Sequence, residues 1–277
     1  MRDSMRQDAR RDAMAKPATA VLKSPREIEL MRAAGRIVYQ VLERMAEMVR
    51  PGIRVRELGD EADRIITAVG GTALFKGVCT AQTRFPFPSA ICASVNSEVV
   101  HGIPNDRMLK EGDIISIDCG VRLKGYCGDS ARTFGVGRVS AGAQRLLDVT
   151  KATLDLAVSE MRPGRLWSEI AANMQRFVEK NGYSVVREFV GHGIGQDMHE
   201  EPKVPNYTDR QQRKQDFMLE PGLVIAVEPM VNAGSRHVKL GDSTGWPQVT
   251  KDGALSAHFE HTVAMTPTGI DLLTDGR

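Results

Sequence analysis

Cysteine is scarce, four in 277 residues, and Cys79, Cys92, Cys119 and Cys127 form no Cys-x-x-Cys pair. This excludes a dense disulfide framework and reads as reduced thiols in an intracellular chain. Charge of one sign is missing too: 37 Lys and Arg against 35 Asp and Glu leave a formal balance of +2, without a long block of either kind. So weak a field argues against nucleic acid or an anionic membrane as the main partner. Long apolar runs are absent; stretches such as Gly222 to Val227 fall far short of the roughly 20 residues that span a bilayer. The first sixteen residues alternate Arg2, Arg6, Arg10 and Arg11 with Asp3, Asp8 and Asp12 and have no apolar centre, unlike a signal or transit peptide. Residues 1–23 are expected to form a polar tail, with Met14 a candidate second start, in a cytoplasmic protein. A hydrophobic content of 42% is ordinary for a folded core, expected here as one domain over residues 24–277.

Ordered structure is predicted to begin at Ser24-Pro25-Arg26-Glu27, where a Ser cap, Pro at the first helical position and Glu three residues after the cap form a capping box. Ile28, Met31, Gly35, Val38, Leu42, Met45 and Val49 then recur at helical spacing until Arg50-Pro51-Gly52 stops the pattern. A second amphipathic stretch runs from about Val55 to Val69. The arrangement returns: Arg162-Pro163-Gly164 repeats Arg50-Pro51-Gly52 at an offset of 112, with Glu57 matched by Glu169 and Gly70 by Gly182. A helix from about Ala143 to Glu160 opens the second copy. His101-Gly102-Ile103 recurs as His192-Gly193-Ile194, and Gly112 to Asp118 is echoed by Gly222 to Glu228, each a Gly opening a short apolar strand that ends in a carboxylate six residues later. Several matches in one order point to two similar halves, about 24–140 and 141–270, each with helices, a His-Gly-Ile turn and strands. Such a pair builds its ligand pocket in the crevice between the halves.

The strand Ile114 to Val121, the turn Arg122-Leu123-Lys124-Gly125 and a second strand from about Tyr126 to Phe134 predict a hairpin with Asp118 and Asp129 nearly opposite one another. Alternation sends Ile115, Ile117 and Cys119 to one face and Ile114, Ser116 and Asp118 to the other. A carboxylate closing an apolar strand is costly without a partner, and two facing each other are worse unless a cation lies between them. Glu228 closes Leu223 to Val227 in the same way. In Ser256 to Val263, alternation puts Ser256, His258, Glu260 and Thr262 on one face. Each acid alone could be a satisfied buried carboxylate; four of them, matched between halves, favour a site for more than one cation. With one imidazole, His192 in Gly191-His192-Gly193-Ile194-Gly195, the set is hard and oxygen-rich, suited to manganese, iron(II), cobalt or a two-metal arrangement. The flanking glycines are expected to let the backbone turn tightly. His101 and His199 could bind metal or serve a substrate held above it.

With these residues in view, the sequence resembles the type I methionine aminopeptidases, enzymes that remove the initiator methionine. The likeness runs from about Ser24 to Thr268. It rests on Asn96-Ser97-Glu98-Val99-Val100-His101-Gly102-Ile103-Pro104, the Asp118 and Asp129 hairpin, Gly191 to Gly195, His199-Glu200-Glu201-Pro202, Glu228-Pro229-Met230-Val231 and Phe259-Glu260-His261-Thr262. The resemblance implies an α+β protein of the pita-bread fold, two pseudo-symmetric halves around a curved antiparallel sheet flanked by helices. It implies Asp118, Asp129, His192, Glu228 and Glu260 as ligands of two divalent ions, cobalt, manganese, iron(II) or similar, with Asp129 and Glu260 bridging. It also implies His101 and His199 against the substrate, and Phe87, Cys92, Met198 and Trp246 around a methionine side chain. Core packing is the competing explanation for Phe87 and Trp246. Catalysis would run through a metal-bridged hydroxide with Glu228 moving the proton, on chains with a small penultimate residue. Implied partners are nascent N-termini and the ribosome near its exit tunnel. Phe85-Pro86-Phe87-Pro88 departs from commoner members of that family, two prolines stiffening the pocket rim.

Other readings stay within view. Proline-specific relatives of the same fold usually carry a separate N-terminal domain, for which about 25 residues before the first helix leave no room. Type II relatives carry a helical insertion, whereas only 32 residues separate Glu228 from Glu260. A zinc-binding extension is not expected, since no Cys precedes Cys79. A non-catalytic adaptor of this fold typically loses ligands, and all five acid and imidazole positions are retained here.

Overall fold

A computed structural model describes residues 20–277. The tail expected over residues 1–23 lies outside the described residues as far as residue 19; Ala20 to Lys23 are described, and the Lys23 amide donates to the Gly222 carbonyl at 2.7 Å. Helix α1, Pro25–Met48, starts where the capping box predicts: Ser24 Oγ accepts from the Glu27 amide, and the Glu27 carboxylate accepts from the Ser24 amide at 2.7 Å. Helix α2 covers Val55–Ala68, α3 Ala141–Glu160 behind a Ser140 cap, and α4 Trp167–Lys180. No described helix is long and apolar enough to cross a membrane.

The two Arg-Pro-Gly corners are built alike. Gly52 at φ +87° and Gly164 at φ +83° take the left-handed backbone that favours glycine. Their amides donate to Leu109 and Leu219, both at 2.8 Å, and the amides of Val55 and Trp167 reach Arg107 and Phe217, both at 3.0 Å. Each helix pair is thus closed onto the strand region of its own half.

Among the described residues all strand pairs are antiparallel, in four sheets. The first half centres on a long hairpin, Ile114–Leu123 with Tyr126–Gly135, closed by Lys124 and Gly125 at φ +51° and +86°, the two consecutive positive values a tight hairpin turn needs. Cys92–Val95 pairs with its first strand. The second half centres on Val224–Val227, between Gly191–Gly193 and His261–Thr266. Gly112 at φ +89° and Gly222 at φ +93° precede the two central strands. The alternation holds in the hairpin: Ile115, Ile117, Cys119 and Val121 pack into a core with α1 and α2, while the opposite face carries Asp118. A matching core joins α3 and α4 to Ile225, Val227, Val263 and Met265.

Two expectations change. Asp118 pairs with Ala131 and Asp129 with Gly120, so the acids are diagonal neighbours on one face rather than opposite residues. Also, the His-Gly-Ile repeat is not conformational. His101 follows a strand at φ +60°, whereas His192 lies inside the strand Gly191–Gly193. The glycines beside His192 serve close approach instead of a turn: a Cβ at Gly191 would stand 2.3 Å from the Ala226 carbonyl, and one at Gly193 2.2 Å from that of Glu201.

Candidate metal centre

The halves meet where the stretch around His258 to Thr262 runs along the second hairpin strand. The Glu260 amide donates to the Ala131 carbonyl at 2.9 Å, Thr262 Oγ1 bonds both the amide and the carbonyl of Asp129, and Thr133 Oγ1 does the same for His258. The strand expected through Ser256 to Val263 breaks at Phe259 and Glu260, between Ser256–His258 and His261–Thr266. That break directs Glu260 into a cleft of about 540 Å³ bordered by every site residue named from the sequence: Asp118, Asp129, His192, Glu228, Glu260, His101, His199, Phe87, Cys92, Met198 and Trp246.

Ligand atoms of Asp129, His192 and Glu260 lie within 4.8 Å of one another. His192 Nε2 is 3.5 Å from Glu228 Oε1 and 4.0 Å from Asp129 Oδ2. Burial, then the neighbouring acids, holds Asp118 and Glu260 well above the usual carboxylate range; burial, then Asp129, does so for Glu228. Asp129 is pushed up to about 7, chiefly by burial. His101 and His192 are held down to about 4, by burial first and His199 second. Neutral imidazoles are what metal ligation requires.

A cation fits this set on the chain's own terms. Asp118 Oδ1, Asp129 Oδ1 and Glu260 Oε1 are fully buried without a hydrogen-bond partner. Buried acceptors left unpaired cost on the order of 1–3 kcal/mol each. Among the described residues, no Lys or Arg ion pair reaches Asp118, Asp129, Glu228 or Glu260. Divalent ions taking hard oxygen donors with one nitrogen would satisfy all of them. Cys92, beside Asp118 in the ladder, is no competing thiolate, because burial pushes its thiol well up.

One end of the cleft is apolar. Phe75, Phe87, Cys92 and Trp246 pack together with Ile103 and Met198. Phe87 meets Trp246 edge-on at 5.1 Å and Phe75 at 6.5 Å. Core packing and pocket lining, set as alternatives for Phe87 and Trp246, are therefore one arrangement. The Phe85 to Pro88 rim is stitched down: Trp246 Nε1 donates to the Phe85 carbonyl at 2.9 Å, and the Arg84 amide to Thr244 at 3.0 Å.

Sequence reasoning missed Phe75, Phe189 and His258 as cleft residues. His258 had a visible signal, its shared face with Glu260. It is 2% exposed, its Nε2 has no partner, and that atom lies 3.8 Å from Glu228 Oε2. Phe189, edge-on to His101 at 5.5 Å, sits in a stretch with no periodic pattern to flag it.

Paired halves, antiparallel ladders and a buried cage of acids with one imidazole define a metal-dependent hydrolase. The chain belongs to metallopeptidase family M24, whose sequence profile matches residues 29–267. Methionine aminopeptidase 1 of Bacillus subtilis is 49% identical over 255 residues, 92% of this chain and 98% of that protein. The methionine aminopeptidase of Escherichia coli K12 is 40% identical over 258 residues, 91% and 93% of the two chains. The crystal structure of methionine aminopeptidase from Thermotoga maritima matches with a TM-score of 0.86 at 35% identity, covering 92% of this chain and 99% of that one. A prolidase from Pyrococcus furiosus, at 21% identity and a TM-score of 0.70, shares the fold. The architecture is thus the pita-bread fold.

Proposed function

We propose that this chain removes the N-terminal methionine from nascent proteins and peptides whose second residue is small. The carrying observation is one cleft that joins a buried acid and imidazole cage to a closed pocket of aromatic and sulfur side chains. A thioether is polarizable and favours such neighbours, so Phe87, Cys92, Met198 and Trp246 select methionine. Asp118, Asp129, His192, Glu228 and Glu260 are the residues that would hold two divalent ions. When bound, such ions supply Lewis acidity toward the scissile carbonyl and toward water.

The chain's own groups do the rest. Glu228, between His192 and His258, takes a proton from the attacking water and delivers it to the leaving nitrogen as the C–N bond breaks. His101 and His199 border the cleft and hold the substrate at the scissile bond. A free α-amino group, neutral, offers its lone pair at the ligand-lined floor, and a formylated nitrogen, whose lone pair is delocalised into an amide, does not. The enzyme acts on emerging chains in the cytoplasm.

The test is cleavage of Met-Ala-Ser and Ala-Pro-Ser with added manganese or cobalt. Methionine release from the first alone, abolished by a chelator and restored by metal, is expected. Preference for the second would make it a proline enzyme, and no cleavage of either would leave a binding module.

A further inference from the structure

Lys23 stands just before the first helix and is nevertheless 7% exposed. A lysine that buried needs its charge met. Its Nζ donates to Glu200 Oε2 and to the Val21 carbonyl, the latter at 2.7 Å. Glu200 directly follows His199, and its other oxygen accepts from the Asp197 amide at 3.3 Å. The pair lies against Gly195, where a Cβ would stand 2.4 Å from Glu200 Oε1 and 2.5 Å from Lys23 Cε. The glycine is therefore needed for the ion pair to close.

Residues 195–200 form the turn that brings Met198 and His199 to the cleft. Its first part is fastened to the long hairpin: the Cys127 amide donates to Gly195 at 2.8 Å, Arg122 Nη2 to the Gln196 carbonyl at 2.9 Å, and Gln196 Nε2 to the Tyr126 hydroxyl at 3.1 Å. Its last part is held by the pairing of Glu200 with Gly193 and by Lys23. The His199 ring lies edge-on to His192 at 4.4 Å and takes no hydrogen bond from another described residue. Its place is set by the backbone that carries it.

We infer that Lys23, acting through Glu200, is a positioning residue that holds the Met198–His199 turn against the cleft. The stretch before α1 is then part of the support of the active site. With the ammonium gone, Glu200 swings toward water for its lost partner and draws the preceding residue with it. The inference rests on the role proposed for His199.

Lys23→Met removes the charge at similar length, Lys23→Arg keeps a donor, and Glu200→Gln weakens the latch from its other end. For each, kcat and KM on a methionyl tripeptide, metal content by elemental analysis and melting temperature are measured, and Lys23→Met is repeated in a His199→Ala background. The expected result is a kcat lowered about tenfold by Lys23→Met with metal retained, largely recovered in Lys23→Arg, and less than twofold further loss in the His199→Ala background, as coupled residues require. Equal loss in both backgrounds would overturn the inference, as would unchanged kcat or unfolding of both Lys23→Met and Glu200→Gln. Full activity of His199→Ala alone would remove the role of His199 itself, and the inference with it.

Discussion

At the residue scale the site depends on acids that meet no Lys or Arg among the described residues. Asp129 sits in the tightest ligand set and borders Gly120, where a Cβ would come within 3.3 Å of its Oδ1. Asp129→Asn keeps the size and removes the charge, so bound metal measured by elemental analysis should fall to background along with activity. His101 borders the cleft outside that set, and His101→Ala should retain metal while turnover drops roughly 100-fold or more, the usual scale of a positioned acid–base or substrate-holding group. A metal-free His101 variant would make it a ligand. Of the five proposed ligands, Asp118 and Glu228 stand out in the sequence because an acid that closes an apolar run is conspicuous, while Asp129, His192 and Glu260 are picked out by their neighbours in the pattern. What strand patterns could not give was register: Asp118 and Asp129 are diagonal because the turn is the two residues Lys124 and Gly125, not the four that a generic turn signal suggests.

At the scale of elements, α1 approaches the hairpin through glycines. A Cβ on Gly128 would lie 2.7 Å from the Gly35 nitrogen, and one on Gly35 would lie 2.0 Å from the Leu273 carbonyl oxygen. Alanine has the better helix propensity by about 1 kcal/mol. That gain is outweighed, because the obstacle at Gly35 is backbone and cannot rotate away. Gly35→Ala should therefore destabilise by about 1–3 kcal/mol, lowering the melting temperature by several degrees in a thermal scan. The helices themselves were readable from caps and spacing to within two residues at three of their four starts. The tripeptide His-Gly-Ile misled about conformation because identical letters do not fix φ: His101 is left-handed and His192 extended.

For the whole molecule, the cage couples stability to metal and pH. Without cations, burial and mutual repulsion hold Asp118, Glu228 and Glu260 well above their unfolded values, and Asp129 reaches about 7. A carboxyl whose folded pKa is raised stabilises the fold while protonated, and that contribution is lost as pH rises through the folded value. Buried His101, His192 and His258 act oppositely, but only below about 6.5, their ordinary value. Chelated protein should thus melt progressively lower from about pH 6.5 to 8, and saturating manganese should flatten that slope and raise the melting temperature. An unchanged melting temperature with and without metal would contradict this.

The stitching of Thr262 to Asp129 and of Glu260 to Ala131 also bears on biosynthesis. A ribosome delivers Asp118 and Asp129 long before Glu228 and Glu260. An interrupted translation product that stops short of Glu228 carries the strands of the hairpin and the helices α1 and α2 that pack on it, yet its cage is unfinished, with two of its four acids missing.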